Sequence, residues 1–242
     1  MRANTTLVSL AAVVEHCRAA ASSTGPSPVV VFDLDGTLFD NGPRTWQILV
    51  DFAEARGNAA LRSALDALPR TGLPYLLRDV LARCGQADTE LAADALAFWK
   101  QRFFTDEFQR FDEPVHGAVR FVRALFDAGA TVAYLSGRDA PNMLVGCAAA
   151  LRRHRFPVGI PRTAIVLKHA FEDTDIEFKR QAVAFVGTLG AIAATFDNEP
   201  AMCNLFAAHW PQAAHYFVHT AHAPDPPPLH GAVSTVPDLR HE

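Results

Sequence analysis

No stretch of this 242-residue chain approaches the roughly 20 consecutive apolar residues that a membrane-crossing helix needs, so no span is predicted. No extended Lys/Arg-rich run stands out either: 22 Lys and Arg are set against 26 Asp and Glu, for a net charge of -4. An extended nucleic-acid footprint is therefore not expected, and any phosphate must be held by local donors. Cysteine is sparse. Cys17, Cys84, Cys147 and Cys203 are scattered with no CxxC pair, which excludes a disulfide framework and predicts free thiols in a reducing, cytoplasmic setting. His219-x-x-His222 has no Cys or acid at matching spacing, so zinc is not expected. No internal repeat is visible. The short apolar run Leu7 to Val14 has Arg2 before it and Glu15, His16 and Arg18 after it, where a secretory cleavage site would need small residues. It is expected to be an amphipathic helix.

Half the residues are hydrophobic, ample for a sizeable core. After a Ser-, Gly- and Pro-rich linker at 21–28, Val29-Val30-Val31-Phe32 is an uninterrupted apolar, β-branched run, the pattern of a parallel strand buried on both faces. Similar runs recur at 131–135, 164–167, 191–196 and 215–218. Helical periodicities lie between most of them. Val119, Val122, Leu125 and Phe126 mark one apolar face, with Gly129 at a C-cap position. Met143, Leu144, Cys147 and Leu151 mark a second, with Asp139 as N-cap and Pro141 in the first turn. Phe178, Ala182, Phe185, Val186 and Leu189 mark a third, with Asp175 as N-cap. Alternation of this kind predicts an α/β fold with a Rossmann-like, doubly wound parallel sheet and ligands at the carboxyl ends of its strands.

From 41 to 112 the alternation stops and only helical periodicities remain: Trp46, Leu49, Val50 and Phe52, then 73–81, then 91–104. Such an insertion cannot join the sheet, so a helical cap subdomain is expected at 41–112, with the core formed by 1–40 and 113–242. The aromatics Phe98, Trp99, Phe103, Phe104, Phe108 and Phe111 could form a ligand box, but packing of this insert and its hinge is the favoured expectation. The tail at 222–242 is Pro-rich and reads as irregular.

Directly after the first apolar run comes Asp33-Leu34-Asp35-Gly36-Thr37. Carboxylates at i and i+2 of an extended strand end project to the same side, and Gly36 permits a sharp turn. Crowding two acids in this way is costly unless a cation or a shared proton relieves it. This segment resembles the first motif of the haloacid dehalogenase superfamily, most of whose members are phosphatases. The resemblance implies that Asp33 attacks phosphorus to form an aspartyl-phosphate, and that Asp35 handles the leaving-group and water protons. It also implies Mg²⁺ held by Asp33, the main chain of Asp35 and a later acid, with Thr37 near the phosphate.

The same resemblance extends along the chain from about 29 to 218. Ser136-Gly137-Arg138 follows the second strand and matches the phosphate-binding second motif, implying substrate contacts from Ser136 and Gly137 and either a substrate contact or a structural salt bridge from Arg138. The third motif is a lysine; Lys179, at the start of the helix before the fourth strand, is favoured over Lys168, which ends the third strand. The fourth motif is matched by Asp197-Asn198-Glu199, with Asp197 as the direct metal ligand and Asn198 where a second Asp often sits. The insert after the first motif is similar to the family's C1 type of cap. The implied activity is a Mg²⁺-dependent phosphomonoesterase acting on a small phosphorylated metabolite or nucleotide, without membrane association. Dehalogenases of the family generally lack the second Asp, so Asp35 argues against that branch. Transfer to an acceptor other than water, action on a polynucleotide 3′-phosphate end and a non-catalytic phosphate-binding role are the other readings.

Overall fold

The computed structural model describes residues 9–241. Arg2, Leu7 and Val8 of the N-terminal apolar run lie outside them. The rest of that run enters α1 (Leu10–Ala21), whose N-cap Ser9 accepts a hydrogen bond from the Ala12 N–H. β1 (Pro28–Phe32) is buried at every position. It pairs in parallel with β4 (Thr131–Asp139) on one side and β6 (Ala191–Asp197) on the other. β5 (Thr163–Lys168) lies outside β4, while β7 (Ala214–Val218) and β8 (Val233–Val236) continue beyond β6. The order is β5-β4-β1-β6-β7-β8, all parallel.

Alternate residues of β1 serve opposite layers, as the two-residue period of a strand requires. Val30 and Phe32 pack with Leu10 and Val13 of α1 and Phe121 of α6 (Ala118–Asp127). The same layer takes Cys147 and Leu151 of α7 (Ala140–Arg153). Val29 and Val31 pack with Val183 of α8 (Asp175–Gly187) and Phe206 of α9 (Pro200–His209). Phe196 stacks between Phe32 and Tyr216 at 4.8 and 4.7 Å, tying three neighbouring strands together. Each such fully buried side chain contributes about 1.5–3 kcal/mol, so β1 anchors the sheet from both faces. The fold is the doubly wound α/β architecture expected from the sequence. All four cysteines are unbridged and buried, and no helix among the described residues is long and apolar enough to cross a membrane.

Between β1 and α6 the chain forms α2 (Gly42–Ala55), α3 (Ala59–Ala67), α4 (Leu77–Arg83) and α5 (Thr89–Phe103), followed by a short 3-10 turn at Phe108–Phe111. Trp46, Leu49, Phe52, Leu61, Leu65 and Leu81 give these helices an apolar cluster of their own. Ile48, Phe103 and Phe108 form a second, smaller one with Trp99, Phe104 and Phe111 around it. β2 (Phe39–Asp40) and β3 (Glu113–Pro114) pair antiparallel and bring the two ends of the helical segment together.

Local readings differ from the structure in four places. The tail is not irregular: Val233–Val236 adds β8 to the sheet edge, and Leu239 is fully buried in the core. The N-cap of α8 is Thr174, whose hydroxyl accepts from the Glu177 N–H, so Asp175 lies in the first turn instead. The helix read at 73–81 begins only at Leu77, because Pro74 and the residues before it form an extended loop. α3 has no counterpart among the periodicities read at 41–112, although Leu61 and Leu65, one turn apart, mark its buried side.

Candidate active site

Parallel pairing of Phe32 with Phe196 makes β1 and β6 end side by side, so the next residues, Asp33 and Asp197, meet at the carboxyl edge of the sheet. Both carboxyls are buried. Lys179, on the second turn of α8, reaches between them: its Nζ donates to Asp33 Oδ1 at 2.8 Å and to Asp197 Oδ2 at 2.7 Å. Lys168 does not reach this point. Its ammonium donates to the Asp173 and Phe171 carbonyls at 2.9 and 3.4 Å and pairs with Asp175 at 3.1 Å.

Two buried carboxylates thus share one ammonium. Burial pushes the Asp33 carboxyl up to about 8; Lys179 opposes the shift and Asp197 adds to it. Burial likewise raises the Asp197 carboxyl against the pull of Lys179. The Lys179 ammonium, which burial alone would lower, is raised by Asp197 and then by Asp33. Oxygen donors with an excess of negative charge suit a hard divalent cation. Among the described residues no three His, Cys, Asp or Glu side chains converge as a metal set, so a cation here would rely on two carboxylates, a main-chain oxygen and water.

Asp35 turns the other way. Arg138 clamps it through Nε to Oδ2 at 3.0 Å and a terminal nitrogen to Oδ1 at 2.7 Å. Arg44 and Asn41 donate to the same Oδ1 at 3.3 and 3.2 Å. Burial acts to raise this carboxyl, but the Arg138 and Arg44 guanidiniums outweigh it and hold Asp35 well below the usual carboxylate range. Both guanidiniums also bind Asp112, and Arg44 lies 4.3 Å from the Phe103 ring centre. The result is a balanced quartet of two acids and two arginines joining β1, β4, α2 and the loop before β3. Gln109 completes it, accepting from Arg138 and donating to the Met143 carbonyl at 2.9 Å.

The loop after β1 is held tightly. Gly36 has φ of +79°, and a Cβ there would lie 2.1 Å from Asn198 Nδ2, so both conformation and space demand glycine. Asn198 donates to the Ala221 carbonyl at 2.7 Å, and Thr220 donates to the Gly36 carbonyl at 2.6 Å. Ser136 is buried in β4, where its pairing with β5 shifts register, and its Oγ accepts from the Arg138 N–H at 3.3 Å. A Cβ on Gly137 would meet Asp175 Oδ2 at 2.3 Å, so the backbone there approaches α8 closely.

Asp33, Lys179 and Asp197 therefore come together, with Ser136 and Gly137 on the flanking strand. Two expected substrate contacts are placed differently. Thr37 is fully buried off the cleft and donates to Asn198 Oδ1 at 3.4 Å, because the turn at Gly36 carries it beneath the loop. Arg138 spends its donors on Asp35, Asp112 and Gln109, because two unpaired acids buried beside it would be far costlier. Arg44, Asp112 and Gln109 were not read as site residues. A signal existed: Arg44 falls on the apolar side of α2, where a solvated arginine would not.

The family model described as haloacid dehalogenase-like hydrolase matches residues 28–187. A phosphoglycolate phosphatase of Rhodobacter capsulatus is 30% identical over 92 residues, 38% of this chain and 39% of that protein. The match thus spans about two fifths of that curated relative. The fold is similar to that of a haloacid dehalogenase superfamily hydrolase of subfamily IA from Geobacter sulfurreducens (TM-score 0.52, 15% identity, covering 90% of this chain and 96% of that one). It is also similar to protein tyrosine kinase A of Mycobacterium tuberculosis (TM-score 0.54, 16% identity, 88% and 94% covered). With two thirds of its length matched to the family model and the acids of β1 and β6 joined by one lysine, the chain belongs to the haloacid dehalogenase-like hydrolases.

Proposed function

We propose that this hydrolase is a Mg²⁺-dependent phosphomonoesterase that works through an aspartyl-phosphate on Asp33 and acts on a small phosphorylated metabolite or nucleotide. The observation that most supports this is Lys179 bridging Asp33 and Asp197 at adjacent strand ends. The relative named a phosphoglycolate phosphatase supports phosphate-ester chemistry but, at its coverage, says nothing of the leaving group here.

The donor set fits the cation: Asp33 and Asp197 would hold it through carboxylate oxygens, the Asp35 carbonyl would add a neutral one, and two carboxylates against one ammonium leave one negative charge for it to offset. Bound there, Mg²⁺ would keep Asp33 ionised and screen its repulsion from the phosphate dianion. Asp33 then attacks phosphorus, forming an O–P bond as the ester oxygen leaves. Lys179 and the Ser136 hydroxyl hold the phosphoryl oxygens, with the Gly137 backbone close by. Asp35 is poised as a carboxylate, which suits it to take a proton from the water that later attacks the aspartyl-phosphate. To protonate the leaving oxygen, Asp35 must first loosen its bonds to Arg138 and Arg44 and take up a proton from solvent. The helical segment at 41–112 acts as a cap over the strand ends, and Arg44 on α2 links its position to Asp35.

Hydrolysis of an aryl phosphate with and without Mg²⁺ tests the reading. Mg²⁺-dependent release of phosphate, lost in Asp33→Asn, is expected; full activity in chelator or in that variant would overturn it.

A further inference from the structure

Between the helical segment and the strand ends lies a cleft of about 1180 Å³. Its chemistry is lopsided. Asp33, Asp35, Asp40, Asp175, Glu199 and Asp238 line it, against only Arg138, Lys168 and Lys179 among the lysines and arginines. Each of those three cations already serves carboxylates of this chain. Lys168 has three acceptors around its three protons. Arg138 has every side-chain nitrogen engaged. A divalent cation bound with the phosphate is cancelled by the phosphate's own two charges. No lysine or arginine in the cleft is left to neutralise a second anion, and the two histidines that line it, His116 and His219, carry no permanent charge.

Much of the remaining wall is apolar, with Leu73, Leu77, Leu96, Trp99, Phe104 and Phe171 among its residues. Seven large apolar side chains are exposed among the described residues, and three of them, Tyr75, Leu96 and Phe171, line this one cleft. Tyr75 comes from the loop before α4 and Phe171 from the loop before α8. Phe171 meets Phe104 edge-on at 5.2 Å, and Trp99 lies against Phe104 at 5.6 Å. Large aromatics held at the mouth of a charged site, where water would otherwise wet them, mark a surface built to be covered.

We propose, resting on the phosphatase reading, that the cleft selects phosphate monoesters with an uncharged leaving group bearing an aromatic or apolar face, and discriminates against leaving groups that carry a second anion.

Three substrates separate the contributions: ethyl phosphate, benzyl phosphate and 4-carboxybenzyl phosphate, assayed with Mg²⁺. All release an alcohol, and the last two differ by one charge remote from the reacting bond. Benzyl phosphate is expected to exceed ethyl phosphate in kcat/KM by about tenfold or more, as apolar pocket contacts give. It should exceed 4-carboxybenzyl phosphate by a similar factor. Phe171→Ala and Tyr75→Ala, at positions exposed enough to leave the melting temperature unchanged, should bring the benzyl-to-ethyl ratio toward one. Equal or faster turnover of the carboxylated ester, or a ratio unmoved by both variants, would overturn the inference and leave the phosphatase reading standing. No turnover of any of the three would overturn both.

Discussion

Replacing Asp33 by Asn removes a charge from the most crowded point of the structure while keeping the side chain's shape, and its effect on stability has a definite sign. The folded carboxyl is raised from 3.8 to about 8 by burial. The folded state therefore holds a proton between those values that the unfolded chain has released. Stability of the metal-free wild type should fall as pH rises from about 4 to 8 and stay low above that. At about 1.36 kcal/mol per unit, the whole window is worth at most ~6 kcal/mol. Rearrangement around Lys179 should reduce this to ~2–4 kcal/mol, because one ammonium still screens both acids. The neutral amide of the Asp33→Asn variant carries none of this penalty, and Lys179 keeps Asp197. In EDTA at pH 8 the variant should melt roughly 4–15 °C above the wild type, at ~2–4 °C per kcal/mol for a chain of this size. At pH 4 the two should nearly coincide. Mg²⁺ should raise the wild-type melting temperature more than that of the variant. Circular dichroism melts across pH, with and without Mg²⁺, measure all of this. A variant less stable than wild type at pH 8 in EDTA, or a difference independent of pH, would refute the electrostatic reasoning.

Asp35→Asn should lower kcat by about 10²–10⁴ through lost proton transfer; pre-steady-state kinetics with neither chemical step slowed would contradict that role. Arg44→Met leaves Asp35 and Asp112 to share Arg138 alone, and should cost about 3–5 kcal/mol, read by urea denaturation. A loss below ~1 kcal/mol would mean that the buried quartet does not behave as a unit. Leu239→Ala should cost about 2–5 kcal/mol in the same assay, since this tail residue is fully buried; an unchanged midpoint would show that the tail does not dock.

The central strands were legible because a parallel strand covered on both faces has no polar position, so Val29 to Phe32 reads as an unbroken run. The site was legible for a related reason. Once strands and helices alternate, Asp33, Ser136 and Asp197 fall at or near strand ends that a parallel sheet gathers on one edge. What stayed hidden depends on distance along the chain. Arg44 and Asp112 are 68 residues apart in sequence, and no local pattern reports that they pair. For Arg138 a substrate contact and a salt bridge stayed equally open, because the sequence does not reveal that Asp35 and Asp112 already occupy it. β8 is only Val-Ser-Thr-Val after a Pro-rich stretch, too short for its pairing with β7 to leave a periodic trace.

The claim on which the account turns is that Asp33 becomes phosphorylated. Acid-quenching the enzyme during turnover with Mg²⁺, followed by peptide mass spectrometry, asks this directly. The account predicts one added phosphoryl group on the peptide carrying Asp33, absent from Asp33→Asn. Steady phosphate release with no labelled peptide under single-turnover quench, or a label on a different residue, would contradict it.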